Sequence, residues 1–198
     1  GISGIEFYTA LRAYRALDRC DVAVLMIDGI KGLTNGDLKL MNEGIKRGVG
    51  IIIAVNKWDA VDKNHKSSDR WLLEWKRRAP RQHWIPIYFI SALSGQRSIK
   101  VIEQAFEVKK QRNRRISTAE LNDKISAKLI RKPPPAIRGK PVKIKYGSQV
   151  STSPPHFVFF ASHAKLINAS YSKFTEGLIR SNFTFEGVPI RVSFREKR

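Results

Sequence analysis

The chain has 198 residues, with 37 Lys and Arg against 17 Asp and Glu, a formal net charge of +20. At 42% hydrophobic and 27% charged it carries enough apolar residues for one sizeable core or two small ones, which excludes wholesale disorder, a collagen-like chain and a disulfide scaffold. The single cysteine, Cys20, precludes an intrachain disulfide and suits a reducing compartment. The longest apolar stretches, such as Val22 to Ile27 and Ile51 to Val55, are far shorter than the roughly 20 residues of a membrane span. The opening Gly1-Ile2-Ser3-Gly4-Ile5-Glu6-Phe7-Tyr8 lacks the basic n-region and long apolar core of a signal peptide, and without a Met it is expected to begin mid-protein.

Phe7, Leu11, Tyr14 and Leu17 recur at helical spacing and predict an opening helix. Val22 to Ile27 is apolar without alternation and ends in Asp28-Gly29, the pattern of a strand buried on both faces of a parallel sheet. Leu38, Met41 and Ile45 then mark a helix ended by Gly48 and Gly50, and Gly50 to Val55 a second buried strand. Leu72 and Trp75 belong to a helix halted by Pro80, with Trp71 and Trp75 read as one packed helix face. Ile85 to Ile90 follows as a third strand and Ile99, Ile102 and Phe106 as a further helix. Three rounds of helix and apolar strand imply βαβ crossovers and a parallel sheet.

Beyond Arg112-Asn113-Arg114-Arg115 the pattern changes. Ser117-Thr118-Ala119-Glu120 reads as a capping box, Leu121, Ile125 and Leu129 as the helix it opens, and Pro133-Pro134-Pro135 as its end. Val142, Ile144 and Tyr146 alternate with Lys143 and Lys145; Ile190, Val192 and Phe194 alternate with Arg191, Ser193 and Arg195. Each set predicts a strand with one buried and one polar face. Between them lie the apolar strand His156 to Ala161 and a helix with Tyr171, Phe174 and Leu178. The expected architecture is α/β: a parallel sheet with flanking helices over residues 1–116, then a small α+β domain of order α-β-β-α-β over 117–198.

Asn56-Lys57-Trp58-Asp59 directly follows a buried strand and forms an N-K-x-D pattern, while Ser91-Ala92-Leu93 follows the next strand. Sheets of this class present ligands at the carboxyl ends of their strands, so the two loops can converge on one ligand. An ionised Asp59 offers only acceptors and matches the ring N1–H and exocyclic amino group of guanine, whereas adenine opposes it with an acceptor. That mismatch costs about 1 to 3 kcal/mol, enough to choose between purines. Asn56 can offer its amide to the other purine edge, the Lys57 stem can cover the base plane, and the Ala92 N–H can donate to the guanine carbonyl. An Asx turn after a strand is the bland reading of Asn56 and Asp59.

These motifs resemble the base-recognition half of a translation-factor-class GTPase, of P-loop GTPase type. Gly4 to Thr9, Arg12-Ala13, Arg19 to Val22 and Val55 to Asp59 are similar to the second G domain of the Der (EngA) family. Lys132 to Pro135, Tyr146 to Val150, Pro154 to Phe157 and Phe185 to Arg191 are similar to that family's C-terminal KH-like domain. The resemblance implies a cytoplasmic GTPase of two consecutive G domains that binds GTP and GDP with Mg²⁺ and acts in large ribosomal subunit assembly. Its partners would be that subunit, its rRNA and the protein's own N-terminal G domains. Asn56, Lys57, Asp59, Ser91 and Ala92 would bind guanine.

The departures are specific. No G-x-x-x-x-G-K-[S/T] loop, switch threonine segment or D-x-x-G occurs in the 198 residues, so nothing supplies the phosphate cradle, its Lys or the metal-ligating hydroxyl. The expected match starts after the second domain's switch II, and this chain alone is expected not to hydrolyse GTP. With the family's preceding strand absent, Val22 to Ile27 should form an apolar sheet edge, which invites association. The alternative reading is a non-enzymatic RNA-binding protein with a vestigial nucleotide fold.

Residues 117–198 hold 15 basic and 5 acidic side chains, and residues 1–116 hold 22 and 12, so each part is net +10 and the smaller is more densely charged. Lys143, Lys145, Arg191 and Arg195 would share one sheet face if their strands are neighbours, forming a platform for RNA phosphates. No G-x-x-G follows Ser117, so the usual KH grip on single strands is not expected. The four histidines show no metal-ligand spacing and one cysteine completes no zinc site.

Overall fold

The computed structural model describes residues 4–61, 67–136 and 139–196, excepting the side chains of 4–10. Two compact units emerge: residues 1–111 with 186–188, and residues 112–185 with 189–198.

The first unit is organised by its most apolar segment, β2 (Gly50–Asn56), in which Ile51 through Val55 are buried almost completely on both faces. Each of the Ile51, Ile52, Ile53 and Val55 side chains contributes about 1.5 to 3 kcal/mol by leaving water. Strands β1 (Val22–Asp28) and β3 (Ile87–Phe89) pair with β2 in parallel, one on each side, in the order β1-β2-β3. The third strand is shorter than the apolar run suggests. Pro86 has no N–H to donate, though its carbonyl accepts from Ile53 N–H at 2.9 Å and Ile90 N–H reaches Val55 O at 2.8 Å.

Helix α1 (Gly4–Leu17) buries Leu17, while the Phe7 side chain of its expected stripe lies outside the described residues. Helix α2 (Asn35–Arg47) starts at a reciprocal cap between Thr34 and Asp37 and stops at Gly48, whose φ of 74° is left-handed. In α3 (Ser67–Arg78), Trp71 and Trp75 are buried with ring centroids 6.0 Å apart, so they are core, packed in one cluster with Leu25, Ile27, Met41 and Trp84. Helix α4 (Ser98–Asn113) buries Val101 and Val108. Strand β1 lies at the edge of the sheet described: Leu25 and Ile27 are buried, while Val24 and Met26 are 40% and 56% exposed. The expected edge position is therefore present, but the expectation that this strand is buried on both faces fails: only the Leu25 and Ile27 face is covered.

The second unit runs α5 (Thr118–Leu121), a π-helical turn (Asn122–Ser126), α6 (Ala127–Arg131), β4 (Ile144–Ser151), β5 (His156–Ala161), α7 (Ala169–Phe183) and β6 (Arg191–Arg195). The sheet order is β4-β5-β6, antiparallel then parallel. The cap at Ser117 is one-sided: its Oγ accepts from Glu120 N–H at 3.2 Å, while the Glu120 carboxylate accepts from Lys124 Nζ at 2.7 Å. Within the π turn, Asn122 embraces the backbone of Gly147, accepting from its N–H at 2.7 Å and donating to its carbonyl at 3.0 Å. Phe157, Phe159, Phe185, Leu121, Ile125, Leu129 and Ile179 are among the fully buried side chains of this unit. Tyr171 links α7 to the end of α6, its hydroxyl donating to Lys132 O at 2.9 Å; burial pushes that phenol up to about 12.

The expected alternation in β4 holds at Val142 and Ile144, which are buried, and fails at Tyr146. Ile144 faces Ala161 but Tyr146 faces Phe160, which makes Lys145 the extra residue of a β-bulge. The bulge moves Tyr146 to the opposite face, where its ring stacks on Phe160 with centroids 4.7 Å apart. Gly147, next along, is required by packing, because a Cβ there would stand 2.5 Å from two carbons of the Phe159 ring. We expect Gly147→Ala to destabilise this unit by about 1 to 3 kcal/mol. Urea unfolding followed by circular dichroism reads this as a lower midpoint; an unchanged midpoint would contradict the packing.

Candidate functional site

The parallel register fixes which chain ends meet. Asp28 pairs with Asn56 at the carboxyl ends of β1 and β2, and the Ser91 loop leaves β3 on the other side of β2. Three loops thus gather at one end of the sheet, where ligands of such sheets bind.

Backbone bonds lock the Asn56 loop. Asn56 O accepts from Gly29 N–H at 2.8 Å and Trp58 N–H donates to Ile90 O at 3.0 Å. The Trp58 ring lies 4.3 Å from that of Phe89. Gly29 has no substitute, since a Cβ there would be 2.7 Å from Asn56 O. Asn56 Oδ1 accepts from Ala92 N–H at 2.8 Å, joining the two loops. That bond commits the oxygen end of Asn56, so the side chain offers a ligand its NH₂ donor. It also changes the part expected of Ala92, whose N–H a base carbonyl would have to share. Ser91 is fully buried, its Oγ accepting from Ser94 N–H at 3.3 Å and its own N–H donating to Gln96 O at 3.3 Å; it shapes the loop.

Lys57 is left-handed, with φ 60°, and opens the short 3₁₀ turn Trp58–Ala60 that presents the exposed Asp59. The Lys57 ammonium reaches 2.7 Å to Asp28 Oδ2, while Asp28 Oδ1 accepts from the N–H groups of Ile30 and Lys31 at 2.9 and 3.2 Å. Sequence reasoning missed Asp28. The available signal was that Asp28 ends one apolar strand as Asn56 ends the next, which places both at the same sheet end. The hydrogen bond from Lys57, followed by that from Lys31 N–H, holds the Asp28 carboxyl down at about 2, against an ordinary 3.8.

Of the RNA-contact candidates, Lys143, Lys145, Arg191 and Arg195 are all exposed. Their strands are not neighbours, since β5 separates β4 from β6, so the adjacency on which a shared face was conditional is not met and the four residues lie on the two outer strands of one sheet. Lys143 is bonded through its backbone to Ser162, just beyond the paired ends of β4 and β5. Arg195 faces Phe160 and Arg191 faces His156, on the side of the Tyr146–Phe160 pair. Lys145 occupies the bulge. Two residues that sequence reasoning passed over organise this unit: Asn122, described above, and the buried Gln149. The latter accepts from Ile116 N–H at 2.7 Å and donates to Arg114 O at 2.9 Å.

Among the described residues no cluster of His, Cys, Asp or Glu could hold a metal ion, and no helix is long and apolar enough to cross a membrane. The 198-residue sequence also lacks the G-x-x-x-x-G-K-[S/T] loop whose hydroxyl would ligate Mg²⁺.

Because its folded pKa lies below the ordinary value, Asp28 contributes stability above about pH 3.8 that is lost as pH falls toward 2. We expect its carboxyl carbon to titrate in NMR spectra with a midpoint near 2, rising toward 3.8 in Lys57→Gln. An ordinary midpoint in the unsubstituted chain would contradict the ion pair.

Comparison with known proteins places the chain among GTPases. Residues 6–128 match the model of the elongation factor Tu GTP binding domain, and residues 115–195 match the KH-domain-like region of EngA bacterial GTPase enzymes, C-terminal. GTPase Der of Chloroherpeton thalassium is 40% identical over 193 residues, covering 98% of this chain and 44% of the relative. GTPase Der of Caldanaerobacter subterraneus subsp. tengcongensis is 42% identical over 193 residues, with the same coverages. The chain thus spans less than half the length of these relatives. Among solved structures, Era of Aquifex aeolicus bound to GDP.AlF4- is 16% identical with a TM-score of 0.45, covering 98% of this chain and 70% of that one. The G-domain model over the first unit and the EngA-specific model over the second show that the chain belongs to the Der (EngA) family of GTPases and corresponds to its C-terminal portion.

Proposed function

We propose that this chain is the guanine-reading and RNA-contacting portion of a ribosome-biogenesis GTPase acting in large-subunit assembly. The observation that carries the first half is the 2.8 Å bond from Ala92 N–H to Asn56 Oδ1, which joins two loops at adjacent strand ends beside the exposed Asp59. In this reading Asp59 accepts from the guanine N1–H and amino group, Asn56 donates to the purine ring nitrogen, and the pinned Lys57 stem lies along the base. GTP or GDP is the ligand. The phosphate loop and Mg²⁺ ligands are not among these residues, so hydrolysis belongs to a protein that includes them and not to this piece alone.

The second half rests on charge. Residues 117–198 carry a net +10, and Lys143, Lys145, Arg191 and Arg195 are exposed along one sheet. That arrangement suits phosphates of ribosomal RNA. A non-enzymatic RNA-binding protein with a vestigial nucleotide fold would keep the second half and lose the first.

Guanosine 5′-monophosphate at millimolar concentration should shift the amide signals of Asp59 and Ala92 more than adenosine 5′-monophosphate does, even without a phosphate loop. Asp59→Asn should move the preference toward the xanthine nucleotide; equal shifts from both purines would overturn the assignment. Binding to ribosomal RNA should weaken steeply with salt. Removing any one of Lys143, Lys145, Arg191 or Arg195 should lower the slope of log K against log[salt] by about 1, and a salt-independent affinity would refute phosphate contact.

A further inference from the structure

The β-bulge at Lys145 does more than displace one side chain. It assembles on one sheet face, and toward one end of it, an aromatic pair surrounded by cations. Tyr146 and Phe160 face each other across β4 and β5 with ring centroids 4.7 Å apart and planes 26° from parallel. Arg195 stands beside Phe160 on β6, completing a row of Tyr146, Phe160 and Arg195 across the three strands. Lys143 lies one pair further along the same edge, against Ser162, and Lys145 fills the bulge between them. All three cations are exposed.

The other face of the sheet is committed to the core. Phe157 packs on Phe185, and Phe159 and Phe194 meet each other, with Phe194 also against Tyr171 of α7. On the Tyr146 face the next row is closed, because Val158 at its centre is fully buried. What remains open is the end of the face at β4, an edge strand, where Tyr146 is 37% exposed and has Phe160 behind it on one side.

An aromatic ring backed by a second ring and more than a third exposed at a sheet edge has little freedom left to lose on stacking. A nucleobase laid against it extends an existing stack, and stacking accepts any base because every base has a π-face. The sugar-phosphate backbone leaving such a base would run among Lys143, Lys145 and Arg195. We propose that Tyr146, backed by Phe160, is a stacking site for an unpaired base of single-stranded RNA, with Lys143, Lys145 and Arg195 holding the adjoining phosphates. The site rests on the RNA-contact reading above and deepens it: the partner is single-stranded, and the grip is made on an edge aromatic with no G-x-x-G loop.

The test uses the 198-residue chain with fluorescently labelled ten-nucleotide poly(A) and a duplex RNA of equal phosphate number, over a series of salt concentrations. Tyr146→Leu should weaken binding to the single strand by about tenfold while leaving its salt slope unchanged, and should not alter duplex binding. Tyr146→Trp should restore single-strand affinity. Lys145→Ala should instead lower the salt slope by about 1 on both RNAs. A thermal melt of each variant shows that the fold is kept, and Phe160→Leu, which removes the backing ring from the other strand, should reproduce part of the Tyr146→Leu loss. If Tyr146→Leu and Phe160→Leu both bind poly(A) as the unsubstituted chain does, the stacking site is wrong while the phosphate face survives. If the unsubstituted chain binds neither RNA with any salt dependence, the RNA-contact reading falls and the site with it.

Discussion

The burial of β2 on both faces is the constraint from which the first unit follows. Strand residues that meet water on neither side must be flanked by partners within the sheet and covered by helices above and below. Parallel pairing then fixes the register so that all three strands release their chains at the same end. The Asn56, Asp28 and Ser91 segments meet there because of this geometry, without any long-range attraction between them. The side-chain bonds across these loops, from Ala92 N–H to Asn56 Oδ1 and from Lys57 Nζ to Asp28 Oδ2, refine an arrangement that the sheet has already imposed.

In the second unit the corresponding device is an irregularity. A regular β4 would bury Tyr146 beside Ile144, and the face opposite the helices would present only Lys143 and Lys145. One extra residue reverses the phase and exposes an aromatic among cations. Gly147 and Asn122 hold the bulged strand in place, the first by leaving room for the Phe159 ring and the second by bonding both backbone groups of that glycine. The Tyr146-Gly147-Ser148-Gln149 segment, which reads in the sequence as a family signature, is thus a packing solution whose consequence is a surface.

Much of this was legible in the sequence because it depends on local pattern. The unbroken apolar run of β2 marks a strand covered twice, though the similar run of β1 is covered on one face only; helical spacing marks Trp71 and Trp75 as core, and the Asn56 to Asp59 motif sits where the end of a buried strand must be. What escaped depends on pairing between distant segments. The Asp28 contact with Lys57 spans 29 residues, the Asn122 clamp on Gly147 spans 25, and the bulge is defined only by which residue of β5 faces which residue of β4. The shortened third strand is an intermediate case: Pro86 was visible, but its effect depended on Ile85 preceding the paired stretch.

The central claim is that the loops at the carboxyl ends of β2 and β3 read guanine. A crystal structure of this chain with guanosine 5′-monophosphate tests it most directly. The base should be seated between the Asn56 and Ser91 loops, with the Asp59 carboxylate accepting from both N1–H and the amino group and the Lys57 stem along its plane. A base bound elsewhere, or seated there with its amino edge turned away from Asp59, would contradict it.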